Sequence, residues 1–254
     1  MTTEPTSTQS SIRSGVQPES EASIARMFDR VAPRYDFLNR LLSLSQDQRW
    51  RRHLVNHVPL RPEGALLDVA TGTGDVLLAA MKSRPDYSRF VGVDISPQML
   101  GLAKKKHLAE AAIRSDKRLV DFQTMSAESL AFPDESFDCV TISFGLRNVV
   151  DKPKALSEFH RVLRPGGVLL ILEFFSPEHS KMAQAFQNYF HKILPTIGGL
   201  FSDRAAYEYL PASVEGFYKT EELRSLLDRM GLPVEDEESF LFGSVKLLMA
   251  WKHP

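Results

Sequence analysis

A strand, a tight loop and a helix start follow one another without a gap between Ala65 and Met81, and that order limits what the chain can become. Ala65 to Ala70 is a short apolar run, interrupted by Asp68, of the kind buried on both faces of a sheet. Gly72 and Gly74 permit a tight turn with close backbone approach, and Val76 to Met81 opens a helix. Such a junction offers unpaired backbone N–H groups beside the carboxyl end of a strand, where open α/β sheets hold ligands. A glycine pair alone is weak evidence, because Gly-x-Gly also occurs in turns that bind nothing.

The context strengthens it. Arg89 to Asp94 is a second buried-strand run that ends in an acid about twenty residues beyond Gly74, the spacing at which a carboxylate meets ribose hydroxyls. The nicotinamide fingerprint would place a small residue where Leu77 stands, and no Lys-Ser/Thr follows the loop as in a phosphate-cradling loop. Asp68 and Asp75 would repel a pyrophosphate. A cofactor with a cationic amine and sulfonium and no phosphate suits this acidic rim, so S-adenosylmethionine is the candidate for the glycine loop, with Asp94 beside it.

From Ala65 onward strands and helices alternate, which predicts a mostly parallel sheet with helices on both faces. Leu119–Thr124, Ser136–Phe144 and Val168–Phe174 read as the third, fourth and fifth strands. Lys152–Leu163 reads as an amphipathic helix stopped by Arg164-Pro165-Gly166-Gly167. Ser96 caps a helix that begins at Pro97, and its Lys104-Lys105-Lys106-His107 run is expected to be a solvated face, with a phosphate or lipid-headgroup contact as the alternative. Thr220 to Gly231 gives the last helix, and Glu235–Phe242 with Ser244–Trp251 a closing hairpin around Gly243. Ser23 to His57 is helical with a break at Pro33 and must cover the sheet from outside, as a lid, a membrane-facing cap or a plain helix pair. Residues 175–219, rich in aromatics, interrupt the pattern as a packed excursion or the wall of an apolar pocket.

A formal net charge of −1 gives no ground for a nucleic-acid partner. The single Cys139 forbids an internal disulfide and suits a reducing compartment; it is read as an inert buried thiol. No apolar run reaches the roughly 18 residues needed to span a bilayer, and residues 1–22, rich in Ser, Thr, Gln and Glu, read as a disordered tail without a signal peptide. Residues 23–254 are expected to form one domain, with 23–60 as its helical cap.

Three further segments carry a resemblance. Phe28-Asp29-Arg30-Val31-Ala32-Pro33-Arg34-Tyr35-Asp36-Phe37-Leu38-Asn39, Ile142-Ser143-Phe144-Gly145-Leu146-Arg147-Asn148, and Arg161 to Gly167 followed by Leu172-Glu173-Phe174 resemble the ubiquinone/menaquinone biosynthesis C-methyltransferases. The likeness runs from Ser23 to Trp251, and Asp68-x-x-x-Gly72-x-Gly74 resembles the general class I methyltransferase cofactor motif. The chain departs from the family pattern at Leu38, at Asp47 and at an extra Phe175.

The resemblance implies a Rossmann-like, mostly parallel seven-stranded sheet with an antiparallel last strand, an N-terminal helical cap and an insertion after the fifth strand. It implies methyl transfer from S-adenosylmethionine to a ring carbon of a polyprenylated quinol, with Thr73, Asp94, Ser126, Ala127 and Ser143 at the cofactor. Arg147, Asn148 and Tyr35 are the catalytic candidates: Arg147 would stabilise a quinol oxyanion and orient water, with the other two as hydrogen-bond partners. No metal is expected, because His53 and His57, four apart, have no third ligand in an evident motif. A cytoplasmic protein that visits the membrane surface is the expected setting, with a homodimer left open.

Overall fold

The computed structural model describes residues 20–114, 118–176 and 204–254. The chain enters through α1 (Glu21–Val31), which starts two residues before the expected Ser23 and whose N-cap Ser20 accepts from the amide of Ser23. Pro33 sits in a 3₁₀ turn, Ala32–Arg34, because its ring and missing N–H cannot continue an α-helix. α2 (Tyr35–Leu42) and α3 (Gln46–Asn56) complete the cap.

β1 (Gly64–Val69), α4 (Asp75–Ser83), β2 (Tyr87–Asp94), α5 (Pro97–Arg114), β3 (Leu119–Thr124) and β4 (Phe137–Ser143) then alternate. α6 (Lys152–Val162), β5 (Leu163–Phe174), α7 (Arg204–Glu215), α8 (Thr220–Arg229), β6 (Val234–Phe240) and β7 (Val245–Trp251) follow. The seven strands lie in the order β3-β2-β1-β4-β5-β7-β6, and β7 alone runs against its neighbours β5 and β6. This is the sheet the sequence predicts.

Two corrections concern boundaries. α6 stops at Val162, and β5 already pairs at Leu163, opposite Phe137, before a register shift carries it past Pro165 and Gly166. A residue before proline disfavours the α region, and Gly166 at φ +74° takes the left-handed turn, so the segment serves as an irregular strand start. β4 ends at Ser143, because Phe144 turns away at φ +56°.

Alternate residues of each strand feed two buried layers. Leu67, Val69, Val140, Ile142, Leu169 and Ile171 face α6 and α8; Leu66, Phe90, Cys139, Leu170, Leu172 and Leu247 face α3, α4 and α5. Cys139 is fully buried and unpaired, and burial raises its thiol pKa, so the inert reading fits. Of the 175–219 excursion, residues 177–203, on which the pocket-wall reading falls, lie outside the described residues.

Candidate active site

The strand order reverses between β1 and β4, and that is where the carboxyl edge of the sheet opens into a cavity of about 650 Å³, mouth included. β1 and β4 are each followed directly by a non-glycine residue of left-handed backbone, Ala70 at φ +51° and Phe144 at φ +56°. Such residues cost about 1 to 3 kcal/mol each and persist where the surroundings hold them. Gly145 is dictated by the same crowding: a Cβ there would lie 2.6 Å from that of Ala70. Glycines at φ +56° (Gly72) and φ +85° (Gly74) turn the loop, and a Cβ on Gly74 would come within 3.1 Å of Ala103 on α5.

Six of the sequence-predicted residues line the cavity: Tyr35, Gly72, Asp94, Ala127, Ser143 and Asn148. Asp94, 8 % exposed, accepts from the amides of Gly72 (2.8 Å) and Ser96 (2.9 Å), which ties the glycine loop to the end of β2. Burial raises its carboxyl pKa while those amides lower it. Ser143 carries a buried hydroxyl without a hydrogen-bond partner among the described residues. A buried, unpaired hydroxyl costs about 1 to 3 kcal/mol, which fits an atom held for a ligand. The cap supplies Ile24, Phe28 and Tyr35 as an apolar wall, and Val149 and Val150 continue the lining.

Five predicted residues stand outside the lining. Asp68 is 1 % exposed, and its two oxygens accept from Thr71 and Thr141, 2.6 Å each; burial pushes its pKa up to about 6. It therefore braces the loop from within. Thr73 donates to Asp36 on α2 (2.6 Å) and accepts from Lys106 on α5 (2.9 Å). Gly74 closes a turn onto Thr71, and Ser126 accepts from the amide of Glu128.

The fifth is Arg147. Its Nη1 donates to the Phe144 carbonyl and to Glu173, both 2.7 Å, and its Nε to Ser213 at 3.3 Å; its backbone amide also donates to Glu173. Side-chain exposures of 8 % and 0 % make Arg147–Glu173 a buried ion pair. The neighbouring Asn148 donates weakly to the Phe144 carbonyl (3.4 Å) and accepts from Tyr209 (3.0 Å). Glu173 is the partner the sequence reading passed over; its signal was an acid in an otherwise apolar run.

Two charge expectations change. Asp75 is neutralised by Arg51 (3.0 Å) and Lys106 (2.6 Å), so it forms no acidic rim, and only Asp94 presents a carboxylate from the loop side to the cavity. Lys106 is only partly solvated: it binds Asp36, Asp75 and Thr73 together, because the turn of α5 it occupies faces the start of α4. Asp47 joins the same network through Arg51 and Ser43. The histidine pair also gains a partner, as His53 and His57 each bind one oxygen of Glu238 on β6, at 3.0 and 2.8 Å. Among the described residues, no histidine lines the cavity and no cluster could hold a metal ion.

Comparison with known proteins bears on this site. The model of the ubiE/COQ5 methyltransferase family matches residues 16–252. A ubiquinone/menaquinone biosynthesis C-methyltransferase, UbiE, of Geotalea daltonii is 44% identical over 89% of this chain and 94% of its own. A demethylmenaquinone methyltransferase of Thermus thermophilus is 44% identical over 83% of this chain and 93% of its own. Among solved structures, the cyclase SpnF superposes with a TM-score of 0.65 at 20% identity, covering 95% of this chain and 99% of its own. A SAM-dependent methyltransferase of Aquifex aeolicus gives 0.57 at 18% identity, over 85% and 96%. At those identities the structures speak for the fold alone.

Proposed function

The chain belongs to the ubiE/COQ5 methyltransferase family, and from that membership we propose that it is a C-methyltransferase that methylates a ring carbon of a polyprenylated quinol, demethylmenaquinol, with S-adenosylmethionine as methyl donor. One observation supports the reading beyond the family: a single cavity joins the Asp94–Gly72 edge to the apolar surface of Phe28, Phe144, Val149 and Val150. A polar nucleoside and an apolar ring can meet in such a space.

When bound, S-adenosylmethionine supplies an already activated methyl electrophile, so the protein has chiefly to align the acceptor and raise its electron density. Asp94 would hold the ribose hydroxyls and Ser143, with its unpaired hydroxyl, would donate to the nucleoside, while Ala127 packs against it. Tyr35 and Asn148 line the same cavity and would bind the quinol oxygen. Loss of the quinol proton makes the adjacent ring carbon nucleophilic. Arg147 has three N–H groups engaged, and the two on Nη2 make no bond among the described residues. Those two donors, fixed by Glu173, stand outside the cavity lining and would act on the developing oxyanion through a water. The lipid tail of the acceptor also brings the protein to the membrane surface; no described helix is long and apolar enough to cross it.

Expression in a host lacking quinone methylation, followed by mass spectrometry of extracted quinones, tests the reading. Restoration of menaquinone is expected; restoration of the benzoquinone alone would change the acceptor, and restoration of neither would remove the function.

A further inference from the structure

We infer that the outward face of α2 is the surface by which the protein docks on an anionic lipid bilayer. Phe37, Leu41 and Leu44 are 57 %, 37 % and 78 % exposed. Phe37 and Leu41, four apart, share one face of α2, and Leu44 follows in the turn after the helix. The opposite side of the helix is spoken for: Leu38 is buried in the core, Tyr35 lines the cavity and Asp36 is bound to Lys106 and Thr73. α2 thus separates the active-site cavity from the outside by the width of one helix.

The end of the stripe is held out under strain. Leu44 and the following Ser45 have φ of +51° and +60°, a backbone region that β-carbons disfavour, and it puts a large apolar side chain into water. Burial of Leu44 against a partner is what such a conformation prepares.

Charge selects the partner. Between Arg30 and Arg52 the sequence has six arginines and two acids, although the whole chain carries a net charge of −1. Both acids are bonded within the protein, Asp36 to Lys106 and Asp47 to Arg51, and Arg51, which also holds Asp75, is no part of the surface charge. Arg40 is exposed on α2 beside the apolar stripe, and Arg34 is exposed in the turn that leads into the helix. Apolar side chains between flanking arginines are the pattern of a helix lying in the headgroup region of an anionic membrane. The inference rests on the lipid-tailed acceptor proposed above only for the purpose of docking; the surface argues for itself.

The test is flotation of the full chain with vesicles of phosphatidylcholine alone or with phosphatidylglycerol, compared with Phe37→Ser/Leu41→Ser/Leu44→Ser and with Arg40→Glu. The wild type should bind the anionic vesicles at least tenfold more tightly than the neutral ones. The triple variant should lose tenfold or more, and Arg40→Glu about fivefold or more, since one cation near such a surface is worth about that factor. Turnover of a short-chain, water-soluble quinol should be unchanged in each, which also certifies folding. Undiminished flotation of the triple variant, equal binding to neutral vesicles, or a dimer in gel filtration that the triple variant dissolves would each overturn the inference, the last by making a second copy the occupant. Vesicle binding through this face without methylation of any quinol would remove the proposed function and leave the docking surface in place.

Discussion

At the level of single residues, Arg147 and Glu173 form a buried pair of opposite charges, of which the sequence reading weighed only the arginine. Removing one partner of a buried ion pair strands the other and costs about 3 to 5 kcal/mol, whereas replacing both can be neutral. Arg147→Ala should therefore lower turnover about 10² to 10³-fold and also destabilise the fold, since Glu173 is left fully buried and unpaired. The double variant Arg147→Met/Glu173→Gln separates the effects: denaturant melts should recover while turnover stays low. Recovery of both would make the pair purely structural. Asp68 gives a second residue-level prediction. Its folded pKa of about 6 lies above the ordinary 3.8, so folding takes up a proton between those values. The stabilising contribution is present in full below about pH 4 and lost as pH rises through about 6. Two pKa units correspond to about 3 kcal/mol, so the stability of the wild type relative to Asp68→Asn should fall by roughly 2 to 3 kcal/mol from pH 4 to 7 in urea melts. A pH-independent difference would show Asp68 ionised throughout.

Among the elements, the glycine loop is not a free-standing binding motif but one corner of a charge lattice that joins α2, α3, α4 and α5. Lys106 is its node, with Asp36, Asp75 and Thr73 within hydrogen-bonding reach, and the cation keeps the Asp36 carboxyl below its usual pKa against the upward effect of burial. Lys106→Met should release α2 from the loop. We expect a stability loss of about 1 to 3 kcal/mol and at least tenfold weaker S-adenosylmethionine binding by calorimetry. Unaltered affinity would show that the loop holds its shape without the cap. This lattice was illegible in the sequence for a physical reason. Periodicity and turn residues act locally, so β1, the loop, β2 and Asp94 could be read in order, and so could the hairpin around Gly243. Lys106 looked like one of three solvated lysines and Asp75 like a rim acid, because their pairing depends on how α5 packs on α4. His53 and His57 lacked a visible partner for the same reason: Glu238 is 181 to 185 residues away and arrives only when β6 pairs with β7.

On the scale of the molecule, stability and binding are divided between different layers. The two large apolar clusters lie on the faces of the sheet and include α3, whose Trp50 packs at 6.1 Å from Phe144 and 6.3 Å from Phe174. α1 belongs to neither: Val31 and Ala32 form a small third cluster with Met99 of α5, flanked by Phe28, Tyr35 and Leu102. Yet α1 provides Glu21, Ile24 and Phe28 to the cavity wall, so it has more to do with the ligand than with the core. A weakly anchored element over a binding site is drawn from the low-stability end of a fold, where opening costs little. Deleting residues 1–31 should consequently leave a cooperative thermal melt and the far-ultraviolet signature of the sheet, with only a modest drop in midpoint. S-adenosylmethionine affinity should fall at least tenfold, because one wall of its cavity is gone and the bound nucleoside would stay in contact with water. In the intact chain, the same ligand should slow hydrogen exchange of the α1 amides more than those of β4 or β5, since a ligand that closes a cap stabilises the closed state by mass action. A truncated protein that binds as well as the full chain would place the cofactor under α2 and the loop alone, and α1 would then serve the acceptor.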